Sequence, residues 1–227
     1  MKPYLTAIAF VVGVATSIFG AEASRSAEYD YDAPEPGTYT LPIIKPAADG
    51  NVLDSTGTPL LLRDLTHGRV TVMSFIYTRC ASAVACPYAT GVLRQLHESS
   101  AEDPALAKGL RLVSMSFDPS TDTPRRMAEY AALADRQPSA APWKFITTRS
   151  QADLQPILEA FGQTVDKRKN PSNPLGPLNH VLRVYLIDRD GNIRNIYSSG
   201  TLDPRLVLAD VRTLLLEAGV SKQITRK

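Results

Sequence analysis

The sequence predicts a single α/β domain with a mixed central sheet flanked by helices, and three observations carry that prediction. Two continuous apolar, β-branched segments, "RVTVMSFIYT" (69–78) and "LRLVSMSF" (110–117), read as strands covered on both faces. Apolar residues at helical spacing follow each of them, which implies parallel crossovers. Near the end, Asp190-Gly191 joins "HVLRVYLID" to "NIRNIYSSG", the signature of a tight hairpin that makes the sheet mixed.

The elements follow in order. "GNVLDSTGTPLLLRDL" is expected to be a hairpin turning at Ser55-Thr56-Gly57. After the strand at 69–78, Pro87 suits the first turn of a helix, where its missing N–H has no partner to lose. Ala89, Val92, Leu93 and Leu96 give that helix one apolar face. Thr123 and Pro124 open a second helix, with Met127, Tyr130, Ala131 and Ala134 on its inner side. "WKFITT" (143–148) is a short strand. Ser150 and Asp153 form an S-x-x-D cap for a third helix with a Leu154, Ile157, Leu158, Phe161 stripe. Residues 162–179 read as a long polar loop with three prolines, a length uncommon unless a site is served. Val207, Val211, Leu214, Leu215 and Ala218 mark a closing helix from the same periodicity. This order of strands and helices is that of a thioredoxin-like fold.

Composition sets limits on function. Hydrophobic residues make up 44% and charged residues 21% of the 227, enough for a real core. The net charge is +2, and the cations are scattered, which argues against nucleic acid as a partner. At the N-terminus Lys2, an apolar run from Leu5 to Phe19 and the small-x-small stretch Ala21-Glu22-Ala23 form a secretory signal peptide over 1–23. The run is shorter than the ~20 residues of a spanning helix, so cleavage is favoured over a membrane anchor. Residues 24–50, rich in Pro, Tyr and acids, read as an extended arm, 51–221 as the folded domain and 222–227 as a tail.

Both cysteines, Cys80 and Cys86, lie in "FIYTRCASAVACPYAT". Five residues separate them, which excludes a C-x-x-C redox pair, and no second cysteine pair completes a zinc ribbon. Ligands in such sheets gather beyond the carboxyl ends of parallel strands, and that is where these thiols fall. Cys86 precedes a helix, whose N-terminal partial charge is expected to lower its pKa. Two thiolates form a soft pair suited to Cu(I), and an imidazole suits copper in either oxidation state. Of three histidines, His67 reads as a surface residue and His97 as a helix-end residue. His180 follows the long loop and is either structural or a ligand brought to the same sheet end. Met73, Met115 and Met127 read as core, and Asp118 and Asp122 as turn and cap residues.

"GRVTVMSFIYTRC", "LVSMSFDPSTDTP", "NHVLRVYLIDRDGNIRNIY" and the earlier "PEPGTYTLPIIKPAADGNVLDSTG" together resemble the Sco/SenC family, over about residues 35–218. The resemblance implies a thioredoxin-fold, copper-binding protein of the periplasm or mitochondrial intermembrane space, with copper held by Cys80, Cys86 and His180. The implied role is copper delivery to, or thiol reduction at, the CuA centre of cytochrome c oxidase, a metallochaperone more than an enzyme. The implied location is periplasmic, with copper as Cu(I) or Cu(II) and a cuproprotein client as partners.

Two positions depart from the family pattern. Five residues, not three, separate the cysteines, at a loop-closure cost of only a few tenths of a kcal/mol. Asn179 stands where the family commonly has aspartate, removing a negative charge near the site. Two other readings stay open: a thiol-disulfide oxidoreductase using Cys80 and Cys86, and a secreted binding module in which they form a structural disulfide. The run "DKRKN" (166–170) could dock an acidic partner.

Overall fold

Val70–Ile76 (β4) is the strand around which the domain is organised, and every one of its residues is buried. The structure, a computed structural model, describes residues 31–224 apart from Val84, Leu133, Asp135, Arg136 and Pro171, with the backbone alone over 220–224. The signal peptide expected over 1–23 lies outside the described residues. The chain divides after Asp32, and a second compact unit runs from Ala33.

β4 pairs in parallel with β5 (Leu110–Ser116), and β5 in parallel with β6 (Trp143–Thr147). On the other side β4 meets β9 (Val184–Ile187), antiparallel, and β9 meets β10 (Asn192–Tyr197) through the Asp190-Gly191 turn. Gly191 has φ +83, the left-handed backbone such a turn needs. β2 (Asn51–Asp54) and β3 (Pro59–Leu61) form the expected hairpin, and β2 extends the sheet beyond β6. β1 (Lys45–Pro46) pairs with β10 at the opposite edge, so the order is β1-β10-β9-β4-β5-β6-β2-β3. The sheet is therefore mixed, as the sequence predicts.

Side-chain caps open some of the helices, whereas the first two begin without one. A short turn, α1 (Arg63–Thr66), precedes β4, and α2 runs over Cys86–Glu102 with Pro87 in its first turn. α3 (Pro104–Gly109) was not expected, yet Asp103 caps it by accepting from the N–H groups of Ala105 and Leu106. α4 spans Pro124–Ala132. α5 spans Gln151–Phe161, with Ser150 as N-cap and Gly162 ending it at φ +70. α6 covers Pro204–Ile224 and packs on α2 and β4. Ala89, Val92, Leu93 and Leu96 of α2 are all buried, as are Leu154, Ile157, Leu158 and Phe161 of α5. Phe161 meets Phe75 and Tyr185 edge-on, at centroid distances of 5.4 and 4.9 Å.

Residues 162–179 do not form an irregular loop. Within them β7 (Val165–Lys167) and β8 (Leu178–His180) pair antiparallel as a separate two-stranded sheet. This corrects the expectation that His180 opens the strand running into "VYLID": that strand starts at Val184, and His180 belongs to β8. Period alone could not separate the two, because Val181 and Leu182 continue the apolar pattern across the break.

Within the unit beginning at Ala33, the segment around Tyr39 is tied to α6 and β10. Tyr39 Oη donates to Asp210 Oδ1 at 2.6 Å, and Asp210 Oδ2 accepts from Tyr197 Oη at 2.6 Å and Asn195 Nδ2 at 2.8 Å. Burial, then the bond to Asp210, pushes the Tyr39 phenol up to about 12. A folded-state value raised above the unfolded one near 10 means that this contribution is intact below about pH 10 and lost as pH rises toward 12. Tyr39→Phe should cost about 1.5–3 kcal/mol in urea unfolding at pH 8, the range for a bond to a charged acceptor. The difference from the native protein should shrink at pH 11.

Candidate metal centre

β4 ends at Ile76, and its continuation carries the site. Asp122, wholly buried, accepts from Thr78 N at 3.0 Å, Thr78 Oγ1 at 2.5 Å and Ser116 Oγ at 2.6 Å. It thereby ties the chain leaving β4 to the chain leaving β5. Desolvation pushes the Asp122 carboxyl up, and its hydrogen bonds oppose that shift. Arg79 does not serve the thiols: it turns to Asp118 Oδ2 and Thr121 Oγ1, each at 3.0 Å. Two residues beyond Thr78, the Cys80 N–H donates to the Tyr77 carbonyl at 3.1 Å, closing a turn at Cys80, a half-buried residue.

Cys86, the first residue of α2, is fully buried. His180 comes to the same point from β8. Its Nε2 lies 3.4 Å from Cys86 Sγ and 3.9 Å from Cys80 Sγ, and the three donor atoms all lie within 4.8 Å of one another. The structure thus brings together all three expected ligands. The longer cysteine loop does not part the sulfurs.

The thiols differ from each other. Both are free, and the Cys86 S–H, donating to Cys80, holds the Cys80 thiolate down to about 4. Cys86 is pushed the other way, first by that same bond and then by burial. The helix N-terminus was expected to make Cys86 the thiolate. Burial and the anion already at Cys80 outweigh it.

His67 is exposed and stands over the Gly191 turn. His97 is buried within α2, its Nδ1 3.0 Å from the Ala141 carbonyl and its Nε2 accepting from Gln137 N at 2.9 Å, so it is structural. It lies inside the helix and not at its end. Met73, Met115 and Met127 are buried in the core. Asn179 is exposed, whereas its neighbours Leu178 and His180 are half-buried. Alternation along β8 therefore turns the carboxamide outward, toward the basic rim of Lys167, Arg168 and Lys169, and not toward the donors. Two residues that the sequence did not single out close the site: Tyr77 meets the His180 ring edge-on at 5.4 Å, and Phe117 meets it at 5.0 Å.

The donors fit a metal of one kind. With bond lengths of about 2.3 Å to sulfur and 2.0 Å to nitrogen, a trigonal ion would set sulfur and nitrogen about 3.7 Å apart, close to both separations found. A structural zinc wants four ligands. Among the described residues this group has three members, two of them soft, which favours a univalent copper ion. His180 Nδ1 is buried with no hydrogen-bond partner among the described residues. The imidazole is thus held by ring packing rather than by the carboxylate or carbonyl that usually orients a metal-binding histidine.

A thioredoxin-like domain whose two thiols converge with an imidazole, in place of a C-x-x-C pair, defines the class: a thioredoxin-fold protein with donors arranged for a soft metal. Sequence comparison narrows that class, since residues 51–216 match the SCO1/SenC profile, and the chain belongs to the SCO1/SenC family. The SCO1 protein homolog of Bacillus subtilis (strain 168) is 26% identical over 132 residues, 58% of this chain and 63% of that relative. The aligned stretch thus spans somewhat less than two thirds of the relative's length. A SCO1/SenC family lipoprotein from Bacillus anthracis str. Ames superposes with a TM-score of 0.61 at 25% identity, covering 75% of this chain and 95% of that one. Copper-bound ScoI from Bradyrhizobium japonicum gives 0.60 at 21%, covering 74% and 98%. None of the described helices is long and apolar enough to cross a membrane.

Proposed function

We propose that this chain binds copper through Cys80, Cys86 and His180 and serves the assembly of a respiratory cuproprotein such as the CuA centre of cytochrome c oxidase. It acts in the periplasm after export, as a metallochaperone. The observation that carries this reading is the convergence of two sulfurs and one ring nitrogen at trigonal spacing. The copper-bound relative of the same fold supports it. The partly exposed His180 leaves one side of the donor set reachable by a partner's ligands, as cargo requires. Titration of the reduced protein with Cu(I) against a competing chelator tests the proposal. One equivalent should bind tightly, and wild-type affinity in both Cys80→Ala and His180→Ala would refute it.

One observation favours thiol reduction as a second task of the same site. Cys80 is the readier thiolate, and buried Cys86 stands beside it with the proton. Cys80 sulfur would attack one sulfur of a client disulfide, forming a mixed disulfide and releasing the other as thiolate. Cys86, losing its proton to that leaving group, would attack Cys80 sulfur. The Cys80–Cys86 bond then forms, the mixed disulfide breaks, and two electrons pass to the client. A client disulfide reduced stoichiometrically by the metal-free dithiol would support this task.

The rim of the site carries the cations of "DKRKN". Arg168 also holds the hairpin, its Nε donating to the Leu178 carbonyl at 3.2 Å, while Lys167 and Lys169 are exposed. Replacing these two lysines by serine should weaken association with the purified soluble domain of the cognate oxidase subunit by about 0.4–2 kcal/mol, the sum for two exposed ion pairs. The salt dependence of binding should flatten with it. Unchanged association would remove the basic rim from the docking surface.

A further inference from the structure

Tyr77 touches two of the three donor residues, Cys80 and His180, from one position. Its carbonyl accepts the Cys80 N–H at 3.1 Å. Its ring stands perpendicular to His180, with an interplanar angle of 87° at 5.4 Å, and leans on Phe117 at 5.1 Å. Its hydroxyl, although the residue is only 1% exposed, reaches across to the other half of the site and donates to the Leu175 carbonyl at 3.1 Å.

That last bond matters because of what Leu175 precedes. Gly176 is buried at φ +97, and a Cβ there would run into Tyr77 Oη and lie 2.9 Å from the Arg79 carbonyl. Gly176 thus lets the segment leading to β8 lie directly on the cysteine loop, where the Tyr77 hydroxyl fastens it. His180 needs such a fastening. Its Nδ1 has no hydrogen-bond partner among the described residues, and β8 pairs only with the short β7, outside the main sheet. The usual means of orienting a metal-binding histidine is a bond to the far ring nitrogen. Here contact with aromatic rings and a bond to the histidine's own hairpin take its place.

We infer that Tyr77 is the positioning residue of the site: its ring and hydroxyl hold the His180 hairpin over the two sulfurs. The inference rests on the copper reading above, and a double-mutant cycle separates the two. Cu(I) affinity is measured by chelator competition for wild type, Tyr77→Phe, His180→Ala and the double variant, with urea unfolding of each metal-free protein alongside.

Tyr77→Phe keeps the ring and removes only the hydroxyl. It should lower affinity by about 10–100-fold, the usual cost of losing an outer partner. In the His180→Ala background the same change should alter affinity less than about threefold, because the residue it positions is gone. The thiolate-to-Cu(II) absorption of Tyr77→Phe should shift toward that of His180→Ala, a change that mere destabilisation would not produce. Gly176→Ala, which presses on the same contact from the other side, should lower affinity in the same histidine-dependent way.

Equal losses from Tyr77→Phe in both backgrounds, or none in the wild-type background, overturn the inference while leaving the copper reading intact. A His180→Ala protein that binds Cu(I) as tightly as wild type overturns the inference, and the copper reading falls with it only if Cys80→Ala also keeps wild-type affinity.

Discussion

Reduced Cys86→Ala protein is expected to bind Cu(I) more than about 100-fold more weakly than wild type, beyond the 10–100-fold cost of losing an outer partner. The variant loses one soft donor outright and damages the other. Without the Cys86 S–H donating to it, the Cys80 thiolate loses the largest cause of its low pKa, and a greater share is protonated at neutral pH. His180→Ala should cost less, because copper(I) draws more from thiolate than from imidazole.

A second readout of the same experiment uses the proton. Cys80, held near 4, is already ionised at pH 7, while Cys86, pushed upward, is not. Metal binding needs both sulfurs deprotonated. One proton should therefore leave per copper at pH 7 in weakly buffered solution, and affinity should rise about tenfold per pH unit between roughly pH 7.5 and 9, above the range in which an ordinary imidazole also gives up a proton. Release of two protons at pH 7 would mean that Cys80 is an ordinary thiol, and release of none would mean that Cys86 is already a thiolate.

Asp122→Ala is expected to destabilise the metal-free protein by about 3 kcal/mol or more and to weaken Cu(I) binding by roughly tenfold or more. The carboxylate is the common acceptor of three donors, two from Thr78 and one from Ser116. Removing it leaves all three without that partner, at about 1–3 kcal/mol for each buried group that finds no other. The effect reaches the metal because Thr78 lies two residues before Cys80. Asp122→Asn should be milder. A neutral amide retains one accepting oxygen and avoids the desolvation that pushes the native carboxyl up. Urea unfolding with chelator competition on both variants checks this order, and an alanine variant as stable as the asparagine one would contradict it.

Much of the fold was legible because its signals are local. β4 and β5 announced themselves as unbroken apolar runs, and α5 by the Ser150 cap, the Leu154–Phe161 stripe and Gly162. α3 has only a local signal, Asp103 followed by Pro104, an N-cap and first-turn pair on a helix too short for periodicity to show. β1 offered none: two residues, one of them proline, become a strand only because β10 has a free edge beside them. The hairpin of β7 and β8 was hidden by its polar composition, since Asp166, Lys167 and Asn179 face solvent.

For the site, residue types and their order were enough to nominate Cys80, Cys86 and His180. They were not enough to find Tyr77 or Asp122, which look like an ordinary strand residue and an ordinary cap.

By itself, then, the sequence determined the strand and helix order, the placing of both thiols at the end of a buried strand, and the family frame around them. These follow from side-chain period, capping and spacing, interactions that act within a few residues. Only the tertiary structure decided that His180 arrives on a separate hairpin, that Asn179 turns away, and that Cys80 rather than Cys86 holds the charge. Those outcomes depend on burial and on distances between residues 94 and 100 positions apart. Solvation and Coulomb interaction are fixed by the packed neighbourhood, which no local pattern specifies.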